Sequence, residues 1–209
     1  DLEVKLTLQQ DGLTDNFFGL SNESRYIQAR GIEYYRVKFS NLENSVLLSN
    51  NWGPLKLYYG LVFNGYNVKE NARRYIAEYA PKGSPVYDEQ DFYGVRTGFT
   101  VDTRNNPVMT TRGLKWNTEA TFQKAFEHNY KDDYLNVKTD LAFYHTFKLP
   151  AVLSFATRVG GCINLLDYEF YQANTLGGLS NLRGYRRSRI SGRSSFYHNL
   201  EARLKLLSF

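Results

Sequence analysis

Apolar side chains recur at every second position over stretches of ~10 to 15 residues, and a period of two dictates strands whose faces differ. In DLEVKLTLQQ, Leu2, Val4, Leu6 and Leu8 oppose Glu3, Lys5, Thr7 and Gln9. In LKLYYGLVFN, Leu55, Leu57, Tyr59, Leu61 and Phe63 oppose Lys56, Tyr58, Gly60 and Asn64. FYGVRTGFTVDTR sets Tyr93, Val95, Phe99 and Val101 against Arg96, Thr100, Asp102 and Arg104. YLNVKTDLAFYHTF sets Leu135, Val137, Leu141, Phe143 and Phe147 against Asn136, Lys138, Asp140 and Tyr144. AVLSFATRVGGCINL and FYHNLEARLKLLSF repeat the scheme, with Arg158, Asn199, Glu201, Arg203 and Lys205 on the polar side. LKWNTEATFQKAF and EYYRVKFS follow it less cleanly, and no amphipathic helix competes. About eight strands emerge, and the fold class is all-β.

The connections alternate in length. SNNWGPL and KLPA are tight turns and NNPVMTTRG a medium one, whereas 10–25, 66–91, 127–133 and 167–195 are long and polar. Long-short alternation is what an antiparallel up-and-down meander gives when one rim carries loops and the other turns, as in transmembrane β-barrels. No run approaches the ~20 apolar residues of a membrane helix. Barrel strands escape that test because they alternate. Lys5, Lys38, Arg96, Asp102, Lys138, Asp140, Arg158, Glu201 and Arg203 all fall on the polar face. A wet lumen tolerates such charges, and a soluble core does not. A curved soluble sheet with a solvated charged face is the alternative. Tyr58, Tyr93 and Tyr134, near strand ends, suit an interfacial aromatic girdle.

No catalytic constellation stands out. His128, His145 and His198 are scattered, with His145 and His198 on the apolar face. Cys162 is the single cysteine, so an internal disulfide and a cysteine zinc site are excluded. Asp132 and Asp133 lie in a short loop with few other oxygen ligands. Neither Gly160–Gly161 nor Gly177–Gly178 opens a helix that could cradle phosphate. The expectation is a non-enzyme without metal or cofactor. NLRGYRRSRISGR concentrates Arg183, Arg186, Arg187, Arg189 and Arg193. These could grip phosphates, could be solvated loop charge touching lipopolysaccharide, or could fold back to pair with a lumen carboxylate. Gly177, Gly178, Gly184 and Gly192 permit the re-entrant backbone that the third reading needs.

The stretch Phe170 to Leu206, with Leu182-Arg183-Gly184-Tyr185 as its motif, resembles the sixth extracellular loop and following strand of the BamA/TamA-like bacterial surface antigen family. Thr100 to Ala120, with Asp102, Arg104, Pro107, Arg112 and Gly113, resembles that family's periplasmic-turn pattern. DNFFGLSNES and YYRVKFS resemble Bacteroidetes-type members. The resemblance implies a bacterial outer-membrane barrel of about sixteen strands, of which residues 1–209 form an incomplete part. It also implies a lumen-directed loop six over 166–195. In the family the motif arginine pairs with an acid on the inner wall, which carries over to Arg183 and Glu201. The implied function is insertion or translocation of outer-membrane proteins or lipid. Lipid, lipopolysaccharide, unfolded clients and accessory assembly subunits are the partners, and nucleic acid is not. A barrel that anchors a calcineurin-like phosphoesterase, with the enzyme outside this chain, is the alternative. The terminal Phe209 leaves a complete eight-stranded barrel as a lesser reading.

Overall fold

The computed structural model describes residues 1–9, 14–21, 24–127, 130–148 and 152–205, without the side chains of 5–9 and 205. Eight long strands carry the fold: β1 (Leu2–Gln9), β3 (Arg36–Trp52), β4 (Leu55–Val68), β5 (Gln90–Asp102), β6 (Gly113–Ala125), β7 (Tyr134–Lys148), β8 (Val152–Asn164) and β11 (Ser194–Lys205). They pair in the order β1-β3-β4-β5-β6-β7-β8-β11, every pair antiparallel. Short β2 (Thr14–Asn16) also pairs with β3. The result is the meander that alternation implies; among the described residues the connections 53–54 and 103–112 lie at one end and the loop segments 17–21, 24–35, 69–89, 130–133 and 165–193 at the other.

Register assigns the faces. Arg96 lies opposite Thr121, Glu119 opposite Lys138, Asp140 opposite Gly160, and Gly160 opposite Tyr197, so the charged residues share one side. The other side carries Leu61 at 67% exposure and Phe196 and Leu200 at 69%. The polar side, by contrast, is the one the loops cover. A soluble sheet buries its apolar face, so this inverted arrangement belongs to a barrel wall in lipid.

The apolar core sits only at the loop end. Phe17, Val37, Val68, Ile76, Ala80, Val86 and Phe170 form it, with Phe39, Tyr75, Tyr79, Tyr87 and Tyr171 packed against them. Three loops thus meet the inward-facing ends of β3 and β4 in one plug. Two helical turns, α1 (Gly31–Tyr34) and α2 (Ile76–Tyr79), belong to these loops.

Three sequence assignments change. Lys38 shares the outward parity of Val46 and Leu48, because β3 pairs with β4 without a break in register from Phe39 to Trp52. Val37 and Phe39 are the inward residues there. Above the bilayer the lumen is filled by the apolar plug, so the in–out polarity of the strand inverts. Tyr58 and Tyr134 face inward, so of the three proposed girdle tyrosines only Tyr93 is on the outer face, against Phe126 at 4.9 Å. Leu206, Phe209 and His128 lie outside the described residues.

Candidate functional site in the loop-lined polar face

Ion pairs link the inner wall strand to strand. Arg96 bridges Glu43 (3.0 Å) and Glu119 (3.6 Å), Lys138 reaches Glu119 (2.7 Å), and Arg158 grips Asp140 (2.8 Å). A second device occurs twice. Tyr58 stands opposite Gly98, and Gly98 opposite Glu119; the tyrosine crosses the glycine and its hydroxyl donates to Glu119 at 3.0 Å. Tyr197 likewise crosses Gly160 and donates to Asp140. A side chain at either glycine would occupy the space of the tyrosine ring.

Loop six, 166–195, lies against this wall. It opens with a one-turn 3-10 helix, Phe170–Gln172, closed by a reciprocal capping box between Glu169 and Gln172. A small hairpin follows, β9 (Asn174–Leu176) against β10 (Ile190–Gly192). Its base is tied to the barrel by amides: Asn136 donates to Asn164 (2.7 Å) and Asn174 (3.0 Å), and Asn174 to the Arg193 carbonyl (2.7 Å). Glu169 is 2% exposed, and its carboxylate accepts from the hydroxyls of Tyr79 (2.6 Å) and Tyr130. Burial, and then this carboxylate, push both phenols above their ordinary pKa. The residue joins three loops, and nothing in the sequence marks it out, since a Glu in DYEF reads as loop charge.

The tip bends onto the inner wall. Arg158 donates to the Ser180 carbonyl (2.6 Å), Asn199 to the Asn181 carbonyl (3.1 Å), and the Gly178 amide to the Tyr185 carbonyl (3.0 Å). Gly177 and Gly178 take φ of +132° and +79°, conformations that side chains rarely adopt, as the re-entrant path needs. Leu182 is half-buried, and Arg183, Gly184 and Tyr185 are exposed. Arg183 lines a cavity of about 290 Å³ together with Tyr144, Arg158, Glu201 and Arg203. Within it Glu201 pairs with Arg203 at 2.7 Å.

The other four arginines make contacts as well, although Arg186, Arg187 and Arg193 stay exposed to solvent. Arg186 lies over the Tyr26 ring and Arg189 over Phe18, at 5.5 and 5.1 Å. Arg187 reaches Asp15 at 3.4 Å, and Arg193 donates to the Asn164 and Leu166 carbonyls. Loop six is therefore stapled to the segment 15–26, through cation–π contacts that charge alone does not reveal.

At the opposite end, four of the five turn residues come together. Arg104 grips Asp102 bidentately (2.9 and 2.7 Å) and donates to the Pro107 carbonyl (3.1 Å). Gly113 takes φ +114°, where a Cβ would strike the Thr103 carbonyl. Arg112 contributes its backbone, its amide donating to Asn105 Oδ1 at 3.0 Å. Asp133 accepts the Ala125 amide at 3.1 Å.

Comparison with known proteins accords with this geometry. No curated protein matches the sequence. The crystal structure of BamA from Haemophilus ducreyi lacking POTRA domains 1-3 is similar with a TM-score of 0.59 and 20% identity over 73% of this chain, a likeness of fold. The chain spans 31% of that BamA chain. The family model of the Omp85 superfamily domain matches residues 5–208. With its inverted sheet, inner charge network and infolded loop, the chain belongs to the Omp85 superfamily and is a stretch of that family's outer-membrane β-barrel.

Proposed function

We propose that this barrel assists insertion or translocation of outer-membrane proteins or lipid, without catalysis and without a cofactor. The observation that carries the reading is loop six itself, bent onto the β8–β11 wall by Arg158 and Asn199. A loop held by a few polar bonds leaves the wall when those bonds exchange, and uncovers backbone and charge for an incoming segment. Unfolded outer-membrane proteins, outer-membrane lipid with lipopolysaccharide, and accessory subunits are the partners of this reading. Its residues are Arg183 and Glu201, which share one cavity. In the working state Arg183 takes the Glu201 carboxylate now held by Arg203.

The test uses the full-length protein with Arg183→Ala, Glu201→Ala and the exchange Arg183→Glu/Glu201→Arg. Each alanine variant should expose loop six to protease and lower assembly of a reporter outer-membrane protein, and the exchange should recover part of both. Unchanged proteolysis and unchanged heat-modifiable migration in both alanine variants overturn the pairing.

A further inference from the structure

Loop six is held in two unequal ways. Its base, 170–177 with 187–193, is fastened on two flanks. On one flank the Asn164 side chain donates to the Gln172 carbonyl (3.1 Å), its backbone amide donates to the Arg193 carbonyl (2.8 Å), and Asn136 holds Asn174. On the other flank stands β2, itself paired with β3. There Asn16 donates to the Arg187 carbonyl (3.1 Å) and the Ser188 hydroxyl to Asp15 (3.3 Å). Just beyond β2, the Arg189 guanidinium donates to the carbonyl and the hydroxyl of Ser24 (3.3 Å each). Phe17 packs on Phe170 at 4.8 Å, and Ser188, Ser191 and Gly192 are buried. Ser188 keeps φ +53°, a left-handed conformation that a non-glycine residue holds only where its surroundings fix it.

The tip, 179–185, has less to hold it. Arg158 and Asn199 reach its Ser180 and Asn181 carbonyls, and Leu179 is 89% exposed. Other bonds run back to the base: Asn181 donates to the Thr175 carbonyl and accepts the Gly177 amide, both at 2.9 Å. Where tip meets base the two stems cross. A Cβ on Gly177 would stand 2.0 Å from the Arg186 carbonyl, whereas one on Gly178 would find its nearest atom at 3.7 Å. The chain is thus packed tight at 177 and open at 178. Local opening follows the segment with the fewest bonds and the least burial. We infer that loop six moves in two parts: the base stays as a fixed bar between β2 and β8, and the tip alone swings about Gly178, carrying Arg183 to and from Glu201. Because Phe170 of the base belongs to the apolar plug, the plug stays shut while the tip works. The inference deepens the proposed function and rests on it for the use of the motion, not for the motion itself.

The test is hydrogen–deuterium exchange of the full-length protein in lipid, resolved by peptide. Amides of 179–185 should exchange about tenfold or more faster than those of 174–177 and 187–192. Equal rates along the loop overturn the division. Asp15→Asn/Arg189→Ala should raise exchange in 187–192 several-fold, and unchanged exchange there overturns the clamp on β2. A Cβ on Gly192 would lie 3.6 Å from the Ser21 Cα, within reach of a disulfide. Ser21→Cys/Gly192→Cys, with Cys162→Ser to prevent mispairing, should when oxidised leave assembly of the reporter outer-membrane protein at the wild-type level. Loss of assembly that returns on reduction means that the base must move, and overturns the inference. If this variant loses heat-modifiable migration, the exchange contrast in the wild type decides. Fast tip exchange with assembly unchanged in Arg183→Ala overturns the functional reading and supports the two-part loop. Uniform exchange with assembly lost in Arg183→Ala does the reverse.

Discussion

At Glu169 one buried carboxylate fastens three loops, and the two phenols that donate to it respond to pH in a defined direction. Tyr79 and Tyr130 have folded pKa values raised above the unfolded value, first by burial and then by Glu169. Below about pH 10, the unperturbed tyrosine value, both phenols are neutral whether the loops are docked or free. Above it the free loops ionise and the docked loops do not, so docking weakens as pH rises. Protease protection of loop six should therefore hold to about pH 9 to 10 and fall beyond, with the Tyr79→Phe/Tyr130→Phe variant losing much of that alkaline step. Protection that is flat to higher pH in the wild type refutes the role. Glu169→Gln keeps the shape but weakens two charge-assisted bonds to neutral ones, at a cost of about 1–3 kcal/mol. It should raise the cleavage rate at neutral pH. None of this is legible in the sequence, because Tyr79, Tyr130 and Glu169 are brought together only when three loops close over the lumen.

Strands were the legible level, and their errors are instructive. Alternation placed Tyr58 and Tyr134 on the polar side, and assigning them to a girdle broke that register; the unbroken β4–β5 and β6–β7 pairing shows that the register wins. Lys38 fails for the opposite reason. Parity is continuous along β3, but the environment changes from lipid outside to apolar plug inside, so hydrophobicity ceases to report direction. The Tyr–Gly–acid crossings form another level invisible to alternation, since each needs three strands in register. They predict coupling. A Cβ at Gly98 would stand 2.5 Å from the Thr118 carbonyl and the Tyr58 hydroxyl. Gly98→Ala should destabilise the barrel by about 1–3 kcal/mol. Tyr58→Phe should cost less, and the double variant should cost less than the two losses summed, because the displaced tyrosine has already lost Glu119. Urea midpoints of the refolded protein in lipid measure all three, and strict additivity refutes the crossing.

For the whole molecule, the backbone sets a demand that side chains cannot relax. Among the described residues β1 pairs only with β3, and β11 only with β8, so the sheet carries two free edges. Water can satisfy an edge, but hydrocarbon cannot, and each unpaired group there costs several kcal/mol. Lipid therefore enforces continuation of the wall by further strands, or closure of β1 on β11. The resemblance favours a wall of about sixteen strands, and the meeting of loop six with β8 and β11 puts the proposed Arg183 site close to one of these edges. The two ways of closing differ in a measurable way. Residues 1–209 refolded alone should give no discrete heat-modifiable monomer, whereas the full-length protein should. A cysteine pair joining β1 to β11 should leave the full-length protein uncrosslinked. Efficient β1–β11 crosslinking together with a heat-modifiable 209-residue monomer would mean that eight strands close by themselves. The cavity shared by Arg183 and Glu201 would then be sealed beside a permanent seam, and loop six could not work by uncovering an edge.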